Sequence, residues 1–291
     1  MDTIRDSFYT IGSTHQVCQD YAYCDENTEK VALSDGCSGA PNSDIGARLM
    51  VHSYAKSLKF NKKKILKDSL STTKLLGIHE DCLCASLIAL EKDKTDLIAR
   101  FYGDGVIVAK HRDSDTFLVY EIEFPTNAPY YIYYDHSDTF SSWETHFGSK
   151  MVVTESFYDL EHSMLTSQLI NTYPRLERQN PEHSELRFKR QDFEMVIGFS
   201  DGISTFSVEG EKNLLPLNEV LQHFLNFKTM YPGFLKRRCK RALKDLGSKN
   251  ISHYDDLSAV ALYDTFPEDF WDGTDDDQDI IWEDVPEDPK E

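Results

Sequence analysis

Three acidic phrases, each at one end of an apolar, β-rich run, constrain this chain most. Asp35 lies in VALSDG, Asp201 lies in MVIGFSDG, and Asp255 lies in YDDLSAVALY. The pattern predicts that carboxylates from distant parts of the chain meet at the ends of strands. Mg²⁺ and Mn²⁺ prefer oxygen ligands, and a glycine after an aspartate lets the backbone approach an ion closely. The sequence therefore predicts a divalent-metal site.

The charge of the chain is strongly acidic and is concentrated near its last residue. The formal net charge of the 291 residues is −19, and residues 264–291 contain 13 Asp and Glu against one base. An acidic surface repels phosphate backbones, so we predict no nucleic-acid partner, and a metal-dependent nuclease is disfavoured.

Dense like charge and few helix signals predict that the 264–291 tail is disordered. Its aromatic residues Phe270, Trp271 and Trp282 are unusual in a purely solvating segment. These residues would form either a short linear motif that binds a partner or a contact with the chain's own basic stretch at 236–249, and the sequence does not decide between the two.

The six cysteines predict no metal site, since they form no C-x-x-C pair and no histidine cluster has zinc spacing. Buried, reduced thiols are expected instead. The N-terminus has no signal-peptide pattern, and the longest apolar run, Cys82 to Leu90, is shorter than the ~20 residues of a membrane span. We therefore expect a soluble, cytoplasmic protein with no membrane partner.

Hydrophobic periodicity predicts strands at 21–24 and 30–34, a helix at 44–58 that continues through NKKKILKDSL, and consecutive strands between 82 and 134. Cys82 and Cys84 are expected on one face of a strand. Short connections between the strands imply antiparallel pairing. The segment 135–190 resembles an irregular surface insertion with a helix near 160–172. FEMVIGF resumes the sheet, a long helix covers 217–246, and LSAVALY is the last strand.

Several short motifs occur in a distinctive order along the chain. They are Gln19-Asp20, Asp35-Gly36-x-x-Gly39, Gly103-Asp104-Gly105, Ser200-Asp201-Gly202 and Asp255-Asp256-Leu257-Ser258. Together they resemble the metal-dependent type 2C Ser/Thr protein phosphatase family, and its compact bacterial members in particular, over about residues 8–263. The resemblance implies an α+β fold, a four-layer α-β-β-α sandwich of two antiparallel sheets flanked by helices. It also implies one domain at 1–263, with a flap-like insertion at about 135–190, followed by the acidic tail.

The resemblance implies a site for two Mn²⁺ or Mg²⁺ ions. Asp35 would bridge the ions, Gly36 would offer its carbonyl to one of them, and Asp201 and Asp255 would hold the other. Asp256 would be a neighbour of the ligands, although a single Asp-Gly or Asp-Asp pair can also be simple turn chemistry.

Asp20 would be a metal ligand or would lie directly behind the ligands of the two ions. Asp104 with Asp201 would hold a third, weaker ion unless Gly103–Gly105 is merely a hairpin turn. Two ions ~3.5–4 Å apart can share a water and lower its pKa. The bridging hydroxide would attack phosphorus in line, without a protein nucleophile.

Two positions depart from the family pattern. His15 stands where relatives carry an arginine that grips the substrate phosphate, and a histidine is only partly cationic at neutral pH. His15 binds phosphate, or Arg48 supplies the positive charge, or His15 is a surface loop residue without contacts. Cys37 stands where eukaryotic relatives carry a histidine that protonates the leaving group, so the general acid is unassigned.

The sequence therefore predicts a metal-dependent phosphatase that acts on phosphoserine or phosphothreonine of proteins and opposes a Ser/Thr kinase. The alternative is a pseudophosphatase, a regulatory binding module of the same fold that acts through protein contacts. His15 in place of arginine favours that alternative, and the retained aspartates oppose it.

Overall fold

The computed structural model describes residues 3–24, 30–136, 139–146, 151–161, 164–173 and 184–265. The acidic segment 266–291 lies outside the described residues. The strands are β1 Thr3–Thr10, β2 Asp20–Cys24, β3 Val31–Asp35, β4 Leu87–Lys92, β5 Asp96–Tyr102, β6 Gly105–His111, β7 Thr116–Glu123, β8 Met151–Asp159, β9 Met164–Tyr173, β10 Glu185–Lys189, β11 Phe193–Phe199, β12 Phe206–Val208, β13 Ile251–His253 and β14 Leu257–Asp264. The α-helices are α1 Ser43–Ala55, α2 Lys62–Leu76, α3 Thr139–His146, α4 Leu217–Leu225 and α5 Phe234–Gly247.

The strands form two large sheets in which every pairing is antiparallel. The seven-stranded sheet has the order β1-β14-β11-β6-β7-β8-β9, and the five-stranded sheet has the order β10-β5-β4-β3-β2. Strands β12 and β13 make a small separate ribbon. The antiparallel arrangement expected from the short connections is confirmed.

The two sheets pack face to face because alternate residues of their strands are apolar on the inner side. Ile88 and Phe101 of the five-stranded sheet share one buried cluster with Ile107 and Val260 of the seven-stranded sheet. The sheets come close where Gly198 lies, since a Cβ there would be 2.6 Å from Cγ2 of Ile88. This cluster is the centre of a sandwich.

A helical layer covers the outer face of each sheet. Leu87 of β4 is buried with Met50 of α1 and Ile65 of α2. On the other side, Phe199 of β11 is buried with Phe224 of α4, and the same cluster includes Leu235 of α5. Each large apolar side chain buried in this way contributes about 1.5–3 kcal/mol. The predicted four-layer α-β-β-α order is confirmed.

The run from Cys82 to Leu90 is not one strand as predicted. Residues Glu80–Leu83 form a short 3₁₀ helix, and the strand begins only at Leu87. The turn is needed because α1 lies on it: a Cβ at Gly46 would be 1.7 Å from the carbonyl oxygen of Cys82. Cys82 and Cys84 therefore do not share a strand face.

Three helix predictions also need correction. The predicted helix at 160–172 is wrong, because β9 occupies Met164–Tyr173 and pairs with β8 at the edge of the larger sheet. The predicted long helix at 217–246 is two helices, α4 and α5. Pro232 and Gly233 lie between them, and Gly233 has a φ of 82°, which does not occur within a helix. The predicted continuation of the first helix through NKKKILKDSL is also wrong, because α2 is a separate helix. The side chain of Asn61 caps its N-terminus by accepting the amide of Lys64. Within the described ranges, no helix combines the length and apolarity needed to cross a bilayer.

Candidate metal centre

Asp20 and Asp35 lie opposite each other as paired residues of β2 and β3 in the five-stranded sheet. The hydroxyl of Ser200 donates to Oδ2 of Asp20 at 2.7 Å, and the amide of Ser258 donates to the same hydroxyl at 2.9 Å. Ser200 follows β11 and Ser258 lies in β14, so this chain of bonds joins strand ends of both sheets. The site therefore lies where the sandwich opens.

Asp201 begins a short 3₁₀ helix, Asp201–Ser204, directly after β11. The next residue must be a glycine, because a Cβ at Gly202 would be 1.8 Å from the carbonyl oxygen of Asp256. This close approach brings Asp201 beside the Asp255-Asp256 pair that precedes β14. The sequence motifs of two distant segments therefore meet by backbone contact.

Asp104 lies in the turn between β5 and β6, flanked by Gly103 at φ 94° and Gly105 at φ 139°. A Cβ at Gly105 would be 2.6 Å from the carbonyl oxygen of Phe199, so the turn is packed against the end of β11. Asp104 and Asp201 line one cleft of about 560 Å³. The two glycines thus allow the backbone to form the hairpin turn, and this turn positions Asp104 in the same cleft as Asp201.

The carboxylates at the site repel one another in a buried setting. Burial raises the pKa of Asp20 to about 7, although a hydrogen bond from Ser200 acts in the opposite direction. Burial and then the charges of Asp20 and Asp201 raise the pKa of Asp35 well above its usual range. Burial and the charge of Asp255 raise the pKa of Asp201 to about 6, and burial and Asp201 raise that of Asp104 to about 7. A divalent cation would relieve this repulsion.

Two oxygens of the group are available to such a cation. Oδ1 of Asp20 and Oδ1 of Asp201 are buried and accept no hydrogen bond within the described part of the chain. In that same part, no group of three or more His, Cys, Asp or Glu side chains is arranged so that it could hold a metal ion. The donor set fits Mg²⁺ or Mn²⁺, which usually keep several water ligands and need few from the protein.

Asp255 and Asp256 have different surroundings. Asp256 is buried, and its carboxylate accepts the amides of Gly12 at 2.7 Å and Gln19 at 2.5 Å. Asp255 has a side chain that is 35% exposed, and its Oδ1 accepts the amide of Asp256 at 2.8 Å. The partly exposed carboxylate of Asp255 is suited to bind a metal ion, whereas the buried carboxylate of Asp256 is suited to hold backbone amides in place.

His15 contacts this pair of carboxylates. Its Nδ1 lies 3.0 Å from Oδ2 of Asp256, and its Nε2 lies 3.6 Å from Oδ1 of Asp255. Burial lowers the pKa of His15, but the hydrogen bond and charge of Asp256, with the charges of Asp255 and Asp20, raise it overall. The structure thus places His15 at the site and not on a contact-free surface loop.

Arg48 and Gln19 lie at the side of the site formed by α1. Nη1 of Arg48 donates to the Asp44 carbonyl at 2.6 Å, and its guanidinium lies 5.3 Å from the ring centre of Tyr21, the neighbour of Asp20. The Gln19 side-chain amide donates to the hydroxyl of Ser43 at 2.9 Å, and the Gln19 backbone carbonyl accepts the amide of Gly36 at 3.2 Å. These bonds hold the loop that follows Asp35 against the start of α1.

Sequence reasoning missed several residues at the site. Ser200 and Ser258 orient Asp20, and both lie inside motifs that had been noted for their aspartates. Glu121 and Glu123 of β7 line the cleft with Asp104. Their i, i+2 spacing on one strand face was a signal, but the sequence does not show that β7 lies beside the β5–β6 turn.

Comparisons with known proteins identify the family of this chain. A family model described as protein phosphatase 2C matches residues 12–246. A comparison with curated proteins found no match.

Among solved structures, the chain is similar to the serine/threonine phosphatase Stp1 from Staphylococcus aureus, with 10% identity, a TM-score of 0.50, and coverage of 90% of this chain and 95% of that one. It is also similar to the Mycobacterium tuberculosis phosphatase PstP/Ppp, with 15% identity, a TM-score of 0.48, and coverage of 91% and 99%. A PstP catalytic domain in complex with two manganese ions has 14% identity, a TM-score of 0.45, and coverage of 90% and 97%. At such identities the likeness to Stp1 concerns the fold alone. Since the family model spans most of the sequence, the chain belongs to the protein phosphatase 2C family.

Proposed function

We propose that this protein is a Mn²⁺- or Mg²⁺-dependent phosphatase that hydrolyses phosphoserine or phosphothreonine in protein substrates. The observation that carries the proposal is the approach of aspartates from both sheets, of which Asp20 is buried and Asp35 and Asp201 are half-buried. Burial and mutual repulsion raise their pKa values. Cations between the carboxylates would stabilise the charged form of such a cluster. Members of this family are typically phosphoprotein phosphatases, and a Ser/Thr kinase would supply the substrate.

Each acidic side chain of the site has a distinct role in this proposal. Asp35, Asp201 and Asp255 would hold two divalent ions, with the Gly36 carbonyl as a further donor and Asp20 beside them. Asp104 would join Asp201 at a third, weaker ion. Ions held there supply Lewis acidity, which activates water for attack on phosphorus. The Ser200 hydroxyl keeps Asp20 in a single orientation, because it is itself fixed by the amide of Ser258.

Positive charge for the substrate phosphate would come from His15 and Arg48. The raised pKa of His15 favours the imidazolium form near neutral pH, although Asp255 and Asp256 share its charge. Arg48 is half-exposed at the rim formed by α1, and Asp44 is its acidic neighbour. The family pattern places an arginine at position 15, where this chain has a histidine, and Arg48 is an arginine at a different place in the fold.

That departure supports a second candidate function, a pseudophosphatase that binds proteins without turning over phosphate. His15 lies between two carboxylates, so a phosphate must compete with Asp255 and Asp256 for it. In this case the fold would retain weak metal binding while the catalytic step fails.

One experiment separates the two functions. Hydrolysis of a phosphothreonine peptide is measured with Mn²⁺ and with EDTA, for the unaltered chain, for Asp201→Asn and for Asp113→Asn, an exposed aspartate of the β6–β7 turn as the matched control. The phosphatase proposal expects turnover that needs both the metal and Asp201 and that survives Asp113→Asn. Full activity of Asp201→Asn would contradict the site. A folded chain that binds Mn²⁺ calorimetrically but shows no turnover would establish the pseudophosphatase.

A further inference from the structure

Helix α5 is a basic region on an acidic protein. Residues 234–249 contain seven Lys and Arg and a single acid, Asp245, in a chain of net charge −19. One face of the helix, including Phe234, Leu235 and Cys239, is buried in the core beneath the seven-stranded sheet. The opposite face exposes basic side chains, which are Lys236, Arg237, Lys240, Arg241 and Lys244. The single acid of the helix, Asp245, offsets only a small part of this charge.

A groove of about 460 Å³ runs between α5 and the segment that follows α4. Arg237, Arg238 and Arg241 line it together with Phe227, and the buried Phe234 lies at its base. The acid at its edge is Asp245, which lies 3.0 Å from Arg241 and 3.8 Å from Arg238.

Positive charge in this groove is therefore in excess. Nε of Arg238 is also buried without a hydrogen-bond partner in the described part of the chain. A groove with guanidinium groups and aromatic rings suits a ligand that carries both carboxylates and an aromatic side chain.

The C-terminal segment of this chain has that chemistry and begins beside the groove. Tyr263, near the end of β14, packs its ring edge-on against Phe234, the first residue of α5, with ring centres 6.4 Å apart. After Thr265 come 26 residues with 12 acids and one base, and the first acidic-aromatic cluster among them is Glu268-Asp269-Phe270-Trp271-Asp272.

The lengths are compatible with a contact in the same molecule. Six extended residues after Thr265 span at most about 20 Å, at ~3.3–3.6 Å per residue. Helix α5, with 14 residues, is about 21 Å long at 1.5 Å per residue. The cluster can therefore reach any turn of α5 without crossing the molecule.

We propose that the 268–272 segment binds in the α5 groove, with its carboxylates on Arg237 and Arg241 and its aromatic rings against Phe227, which is half-buried. Tethering gives the segment an effective concentration in the millimolar range, so a weak contact suffices to keep it bound. Exposed ion pairs are screened by salt, so the bound state is favoured at low ionic strength. This inference is independent of the phosphatase activity.

The test uses tryptophan fluorescence of the intact chain. Two of the three tryptophans, Trp271 and Trp282, lie in the C-terminal segment, and Trp143 is buried and gives a constant background. Acrylamide quenching at low salt is compared among the unaltered chain, an Arg237→Glu/Arg241→Glu variant and a Lys67→Glu/Lys74→Glu control on α2. The proposal expects quenching to rise about 2-fold in the arginine variant and in about 0.5 M salt, and to stay unchanged in the control.

A second pair of variants leaves the folded domain untouched. Glu268→Gln/Asp269→Asn/Asp272→Asn should release the segment as the arginine variant does, whereas Glu283→Gln/Asp284→Asn/Glu287→Gln should have a smaller effect. Equal quenching of the unaltered chain, the arginine variant and the 268–272 variant at low salt would overturn the proposal. Release by the α2 control, or only by the 283–287 variant, would overturn the assignment of groove or segment.

Discussion

The carboxylate of Asp256 accepts the backbone amide of Gln19 at 2.5 Å, and its other oxygen accepts the amide of Gly12 at 2.7 Å. Asp256 precedes strand β14, which lies next to the edge strand β1, whereas Gly12 and Gln19 lie in the loop between β1 and β2. One buried side chain therefore joins the loop that leads into the five-stranded sheet to the seven-stranded sheet, beside the aspartates of the candidate metal site.

We expect Asp256→Ala to destabilise the protein by about 3 kcal/mol, because two amides would lose a charged acceptor in a buried setting. Asp256→Asn keeps one acceptor oxygen and should cost about half as much. Denaturant unfolding of the metal-free chain measures both. Asp255→Asn is the matched control: it should change this stability little but weaken Mn²⁺ binding in calorimetry. Equal destabilisation by Asp255→Asn and Asp256→Ala would show that the two roles are not separate.

The raised pKa values of the site predict how the stability of the metal-free chain depends on pH. Asp20 and Asp104 titrate at about 7 and Asp201 at about 6 in the folded chain, against 3.8 for an ordinary aspartate. The folded state therefore binds more protons than the unfolded state between pH ~4 and ~7, so the free energy of unfolding falls as pH rises through this window.

The melting temperature in EDTA should therefore fall from pH 5 to pH 8, and Asp201→Asn should reduce that fall relative to Asp113→Asn. About 1 kcal/mol corresponds to roughly 2–4 °C for a chain of this size. Mn²⁺ should raise the melting temperature more at pH 8 than at pH 5, because protons compete with the ion. A pH dependence that is identical in both variants would contradict the coupling of Asp201 to the cluster.

If His15 binds the substrate phosphate, His15→Arg should lower the KM for a phosphoester above pH ~7. Arginine keeps its charge there, whereas histidine loses its proton once the pH passes its raised folded pKa. The expected change is up to about 5-fold, as for one partly exposed ion pair of 0.2–1 kcal/mol. Steady-state kinetics at pH 6 and pH 8.5 would measure it, with His15→Gln as the neutral control. A KM that is the same in all three proteins would remove His15 from the phosphate site.

The cleft beside Asp104 predicts a preference among substrates. Glu121 and Glu123 line it with Asp104 and Asp201, and burial followed by the charge of Glu123 raises the pKa of Glu121. We expect phosphopeptides with an Arg or Lys near the phosphoresidue to be preferred. Glu121→Gln/Glu123→Gln should raise their KM by about 2–5-fold per lost pair, and should leave a neutral peptide unaffected. An equal effect on both peptides would contradict a charge contact.

The sequence by itself determined the strand ends and their chemistry. The apolar runs before Asp35 and Asp201 and after Asp255 are strands β3, β11 and β14, and the order of the motifs identified the family and the four-layer fold. Local patterns are reliable there because an apolar strand buried on both faces has few other ways to fold. The breaks between helices were harder to predict than the strands. The sequence predicts a helix where β9 lies, because the hydrophobic periodicity of this segment does not distinguish a helix from a strand.

Only the tertiary structure decided how the motifs are used. Asp255 and Asp256 are identical neighbours in sequence, yet one is partly exposed and the other accepts the Gly12 and Gln19 amides. The contact of His15 with both, and the bond from Ser200 to Asp20, join residues up to 241 positions apart. Such differences arise from close packing between sheets, where the position of a backbone amide sets which carboxylate is buried, and no pattern along the chain records that position.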